Sequence, residues 1–127
     1  GTMCVDGAPG AEISPVIAPK PGDIVLKKSK YSFFYGTDLL NILTTIGIKT
    51  VICTGVCTDC CVFSTARDTG QYNFDVGLLS DFTGTVAYSD PRFGTFSAEE
   101  VKNCFLATMA ISTADIMTSG ELLSRFV

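Results

Sequence analysis

Thr50-Val51-Ile52-Cys53-Thr54-Gly55 narrows the possible folds more than any other stretch of this chain. It is a continuous apolar, β-branched run of strand length, and such runs suit a strand buried on both faces of a parallel sheet. Parallel strands need crossover connections, usually helices, and the flanking sequence supplies them. Thr37 opens a helix whose Leu39, Leu43 and Ile46 fall at helical spacing, and Gly47 closes it. Thr58 is placed to cap a second helix running to about Thr69, with Gly70 as its stop. Residues 23–28 read as an earlier short strand, 74–80 as a third and 114–117 as a fourth. A polar loop with Gly84, Pro91 and Gly94 leads to Ser97-Ala98-Glu99-Glu100, a capping box that announces a helix through about Ile111. Ser119 begins a terminal helix carrying Leu122, Leu123 and Phe126. Strand alternating with helix predicts an α/β fold: three layers, α/β/α, around a mainly parallel sheet joined by right-handed crossovers.

Composition bounds the rest. The 127 residues, 46% hydrophobic and 17% charged, make one domain's worth of chain, too apolar for a disordered tail. Residues 1–22 are loop-like, punctuated by Gly1, Gly7, Pro9, Gly10, Pro15, Pro19, Pro21 and Gly22. No apolar run approaches the roughly 18 residues of a membrane span, and no signal peptide opens the chain, so a cytoplasmic protein without a membrane partner is expected. With 13 Asp+Glu against 9 Lys+Arg the net charge is −4, which argues against nucleic acid as a partner. Histidine is absent, and this removes every Cys–His, Ser–His and His–metal mechanism. The six cysteines are Cys4, Cys53, Cys57, Cys60, Cys61 and Cys104, four of them within nine residues of apolar sequence. That clustering does not resemble a secreted disulfide scaffold, which spreads its cysteines through loops. Reduced thiols are expected.

Ligands of a parallel α/β sheet bind at the carboxyl ends of its strands. Two stretches with unusual chemistry lie at such ends: Lys27-Lys28-Ser29-Lys30-Tyr31-Ser32-Phe33-Phe34-Tyr35-Gly36-Thr37 and Thr54-Gly55-Val56-Cys57-Thr58-Asp59-Cys60-Cys61-Val62. With Thr58 as cap, Asp59, Cys60 and Cys61 begin a helix. Free N–H groups and the positive dipole end there favour a thiolate and can hold an oxyanion. Cys53 in a strand and Cys104 inside a helix read as packing. Cys57 and Cys60 have the spacing of redox and metal motifs, but a zinc knuckle needs a second ligand pair and the remaining cysteines are ill-placed for one. Three lysines in four residues are ordinarily a solvated strand end. The adjoining aromatics can instead wall a pocket and make one lysine the cationic partner of a cysteine.

Together, residues 22–39 and the string 54–68, with its Thr-Gly-Val-Cys-Thr-Asp-Cys-Cys-Val start, resemble the isochorismatase-like cysteine hydrolases. Gly7-Ala8-Pro9-Gly10-Ala11-Glu12-Ile13 and Leu79-Ser80-Asp81 are similar to that superfamily's pattern too. Its members include nicotinamidases, N-carbamoylsarcosine amidases and ureidoacrylate and biuret amidohydrolases. The resemblance covers nearly all of the chain and implies a Rossmann-like hydrolase domain over 1–127 that works through an Asp–Lys–Cys triad. Matched by position, the lysine is Lys28 and the nucleophile Cys61, with Cys60 a neighbour turned elsewhere. The resemblance also implies a non-proline cis peptide between Val56 and Cys57, aiming the Cys57 N–H, with that of Cys61, at a substrate carbonyl. The family's aspartate belongs to a first strand that would precede Gly1. The chain therefore resembles the C-terminal two-thirds of a full member, and a fragment or one part of a larger molecule is expected.

The implied reaction is cleavage of a small amide or carbamoyl C–N bond through a thioester, with neither metal nor cofactor. Phe33, Phe34 and Tyr35 are candidate pocket walls, and homo-oligomers are expected by resemblance. Two other readings stay open: a catalytically silent fragment or structural subunit, and a thiol-redox protein using Cys57 and Cys60.

Overall fold

A computed structural model describes residues 4–127. Three parallel strands form the sheet, in the order β1 (Thr50–Val56), β2 (Asp75–Gly84), β5 (Asp115–Met117). Helix α1 (Leu39–Ile46) precedes β1 and ends at Gly47, whose φ of 78° is the left-handed conformation of a helix stop. A π-helical turn, Thr58–Val62, runs directly into α2 (Phe63–Gln71). A short antiparallel hairpin, β3 (Tyr88–Asp90) with β4 (Gly94–Phe96), follows β2, and α3 (Ala98–Ser112) follows the hairpin. Helix α4 (Ser119–Ser124) closes the chain. No helix among the described residues is long and apolar enough to cross a membrane.

Helices α2 and α3 pack against the strands and each other. Cys53, Val62, Ala66, Val76, Leu78 and Met109 form the core there, with Phe63 and Phe105 edge to face at 5.0 Å beside it. Leu78 and Met109 are wholly buried, each worth about 1.5–3 kcal/mol of transfer free energy. On the other face of β2 the strands close over a glycine. A Cβ on Gly77 would stand 2.5 Å from Ile52 Cδ1, so only the bare backbone lets Ile52 lie across it.

Several expectations are corrected. Residues 23–28 form no strand; no neighbouring strand among the described residues offers them a ladder, and Ile24 and Val25 stay more than half exposed. Thr58 is not a helix cap. Cys57 holds that position, and the Thr58 hydroxyl is buried against Thr83. The helix also passes through Gly70, which lies 3.5 Å from Thr113 Cγ2 by the position of its absent Cβ, and the left-handed residue after the helix is Asn73 at φ 64°. The loop around Gly84, Pro91 and Gly94 is in part an extension of β2 and in part the hairpin. Cys104 is exposed on α3 rather than packed. The capping box is present, with Ser97 and Glu100 each accepting the other's backbone N–H, and Thr118 with Glu121 repeats it at α4.

Candidate active site

Strand β1 ends in the turn that carries three of the cysteines. β1 and β2 run in register through Cys53 and Leu78, and then the pairing jumps to Gly55 with Thr83. The extra residues of β2 leave the ladder. Ser80 Oγ donates to the Met117 carbonyl and the Asp81 carboxylate accepts from the Ser119 N–H and hydroxyl, which fastens the start of α4. Thr83 returns to the ladder with its hydroxyl donating to the Gly55 carbonyl at 2.8 Å and standing 2.9 Å from that of Thr58. Two buried threonines thus pin the entrance of the turn.

Within the turn, Cys60 and Val62 both donate their N–H groups to the Cys57 carbonyl, at 3.2 Å each. In an α-helix that carbonyl would take the N–H of Cys61, four residues on. The wider π register hands it to Val62 instead, so the Cys61 N–H is not spent on Cys57. The Val56–Cys57 peptide is cis.

Lys28 reaches this turn from across the fold. Its ammonium donates to Cys61 Sγ at 3.2 Å and to the Lys30 carbonyl at 2.8 Å, and lies 5.2 Å from the centre of the Phe33 ring. The neighbouring thiols have other company. Cys60 Sγ donates to Asp59 Oδ2 at 3.4 Å. Burial, then that hydrogen bond, then the charge of Asp59, push the Cys60 thiol up. Burial and the charges of Asp59 and Cys61 push Cys57 up. Cys53, deep in the core, is pushed up to about 11 by burial. Asp59 itself lies below the usual carboxylate range. Burial alone raises it, and hydrogen bonds donated by Thr85 and by Tyr88, the latter at 2.6 Å, more than offset that.

Residues 1–118 match the isochorismatase domain. The chain belongs to the isochorismatase family. It is 32% identical over 118 residues to the isochorismatase family protein YrdC of Bacillus subtilis, a match covering 93% of this chain and 63% of that one. Ureidoacrylate amidohydrolase RutB of Methylorubrum extorquens is 45% identical over 67 residues, 53% of this chain and 27% of the relative. The crystal structure of a cysteine hydrolase from Pseudomonas syringae superposes with a TM-score of 0.91 at 32% identity, covering 94% of this chain and 56% of that one. The chain therefore spans less than two thirds of each of these relatives.

The aromatic segment of this isochorismatase-family chain is divided. Phe33 lies beside the Lys28 ammonium and its N–H donates to Thr65 Oγ1 on α2. Phe34 packs on Tyr72 at 5.0 Å, and Tyr35 is 65% exposed. Asp6 pairs with Lys27 at 2.5 Å in full solvent, not with Lys28, and Asp23 accepts the Lys20 N–H. The Asp59–Thr85–Tyr88 cluster escaped sequence reasoning. Nothing in residues 85–88 marks them as partners of a residue 26 to 29 positions earlier; the end of β2 brings Thr85 there and the hairpin brings Tyr88.

Proposed function

We propose that this chain carries the nucleophile and cation of a cysteine-dependent amidohydrolase, acting on the C–N bond of a small amide or carbamoyl compound. One observation carries the reading: the Lys28 ammonium donates to Cys61 Sγ at 3.2 Å, where a helical segment begins. A thiolate beside an ammonium is the nucleophilic form of cysteine. Cys61 Sγ attacks the carbonyl carbon and forms a C–S bond, and the Cys57 and Cys61 N–H groups receive the charge developing on oxygen. Collapse breaks the C–N bond, ammonia or an amine leaves with a proton drawn from water, and the hydroxide so formed cleaves the thioester to release the acid and restore the thiolate. Lys28 holds the sulfur anionic between steps, and Phe33 walls the site on the ammonium's side. No metal or cofactor enters this scheme. The names of the relatives support this reading: ureidoacrylate amidohydrolase points to the C–N class, and cysteine hydrolase to hydrolysis by a cysteine.

Mass spectrometry of the protein mixed with a panel of small amides and ureido compounds tests this. A thioester adduct on Cys61 is expected, with turnover abolished in Cys61→Ala and retained in Cys60→Ala. Equal loss in both variants overturns the choice of nucleophile. A second reading has its own observation: among the described residues, no carboxylate hydrogen-bonds Lys28 or Cys61. On that reading the polypeptide lacks a proton relay and is silent by itself. It would then alkylate at Cys61 but never turn over.

A further inference from the structure

Cys57, Cys60 and Cys61 sit at the start of one helical segment, and all three are partly exposed. The same dipole end serves them all. Position in the helix therefore does not explain why one of them should react. Their hydrogen-bond partners differ sharply. Cys61 Sγ accepts from an ammonium, whereas Cys60 Sγ gives its S–H to a carboxylate, Asp59 Oδ2, at 3.4 Å. A cation donating to a sulfur favours the thiolate, and a carboxylate accepting from one favours the thiol.

The carboxylate is itself held in place. Thr85 donates to Oδ1 and Tyr88, on strand β3, donates to Oδ2. Both hydrogen bonds favour the ionised carboxylate, so Thr85 and the hairpin's Tyr88 keep a negative charge in place beside Cys60 and near Cys57. The charged and titratable groups around Cys60 are Asp59 and Cys57 on its own turn and Tyr88 from the hairpin. On α3, Glu100 and Cys104 line the groove beside Asp59, and Glu100 is turned onto Ser97 in the capping box.

We propose that Asp59 is a positioning residue that confines nucleophilic reactivity to Cys61 by holding the neighbouring Cys60 as a hydrogen-bonded thiol. This rests on the reading of Cys61 as nucleophile and extends it. Lys28 selects the sulfur that ionises, and Asp59, braced by Thr85 and Tyr88, suppresses the sulfur next to it. A thiolate at Cys60 would compete for electrophiles and offer a route to oxidation beside the nucleophile.

The test is the rate of iodoacetamide alkylation at each cysteine, resolved by peptide mass spectrometry from pH 6 to pH 9, and it needs no substrate. In the unaltered chain Cys61 reacts first and Cys60 lags. In Asp59→Asn, which keeps the shape and removes the charge, Cys60 alkylation at neutral pH rises about three-fold or more, while Cys61 changes less. Tyr88→Phe leaves the carboxylate charged and moves Cys60 much less than Asp59→Asn does. A Cys60 profile unmoved in Asp59→Asn overturns the role of Asp59 and leaves the nucleophile standing. Cys60 and Cys61 reacting alike in the unaltered chain overturns both.

Discussion

Lys28 and Cys61 are separated by 33 positions and joined by one hydrogen bond, so the site depends on a long side chain crossing the fold. At 3.2 Å, two unit charges interact by roughly 1 kcal/mol in water and several times that where the surroundings are less polar. Local patterns in the sequence mark a cysteine-bearing helix start and lysines beside aromatics, whereas the choice of Cys61 among its neighbours and of Lys28 among three lysines is what the family resemblance implies. The rank among the three thiols Cys57, Cys60 and Cys61 is not legible, because it depends on Asp59 meeting Thr85 from the end of β2 and Tyr88 from the hairpin. Replacing Lys28 by Met removes the cation and keeps much of the stem's bulk over Phe33. Alkylation of Cys61 at neutral pH is then expected to slow by about ten-fold, with thermal stability nearly unchanged. Equal alkylation rates in the two proteins would separate Lys28 from the chemistry.

At the level of elements, what holds the cysteine-bearing turn is the departure of β2 from its ladder between Leu78 and Thr83. Sequence reading captured β2 only through Ser80, because the apolar run stops there; the polar continuation belongs to the sheet through hydroxyls rather than through hydrophobic pattern. The same limit hid the hairpin, whose Tyr88–Asp90 strand has no alternation long enough to register, and misplaced the stop of α2 at Gly70. Local signals that satisfy themselves, such as the capping box at Ser97, were legible. Thr83→Val tests the hydroxyl fastening. It removes the donor to the Gly55 carbonyl and the partner of the buried Thr58 hydroxyl, and urea unfolding should show a loss of about 1–3 kcal/mol. Thr58→Val leaves the bond to Gly55 in place and is expected to cost less. Asp81 gives the matching prediction in pH. Hydrogen bonds from Ser119 hold its carboxyl below the ordinary value of 3.8. A carboxyl depressed on folding stabilises fully above its unfolded value, and that contribution fades as pH falls through the lower folded value. The difference in Tm between the unaltered chain and Asp81→Asn should therefore stay constant from pH 7 to pH 5 and shrink below about pH 4.

Over the whole molecule, stability is concentrated on one side of the sheet, under α2 and α3, while β1 stands at the edge of the strand order. Its outer edge has no partner strand among the described residues, and Thr50 and Thr54 are exposed along it, with Val56 72% exposed at its end. Ile24 and Val25 add apolar surface that no strand among the described residues covers. An edge with free N–H and C=O groups, flanked by apolar side chains, pairs readily with another chain. Sedimentation velocity at rising protein concentration should therefore show reversible association. A lysine on an edge strand opposes such pairing by charge and by the cost of burying its ammonium. Because Thr50 and Thr54 are already exposed, Thr50→Lys with Thr54→Lys leaves the core beneath α2 and α3 intact, and the doubly substituted chain should associate about ten-fold more weakly with an unchanged Tm. Undiminished association in that variant would place the contact away from β1, and the exposed aromatics of the hairpin, Phe93 and Phe96, would be the next surface to charge.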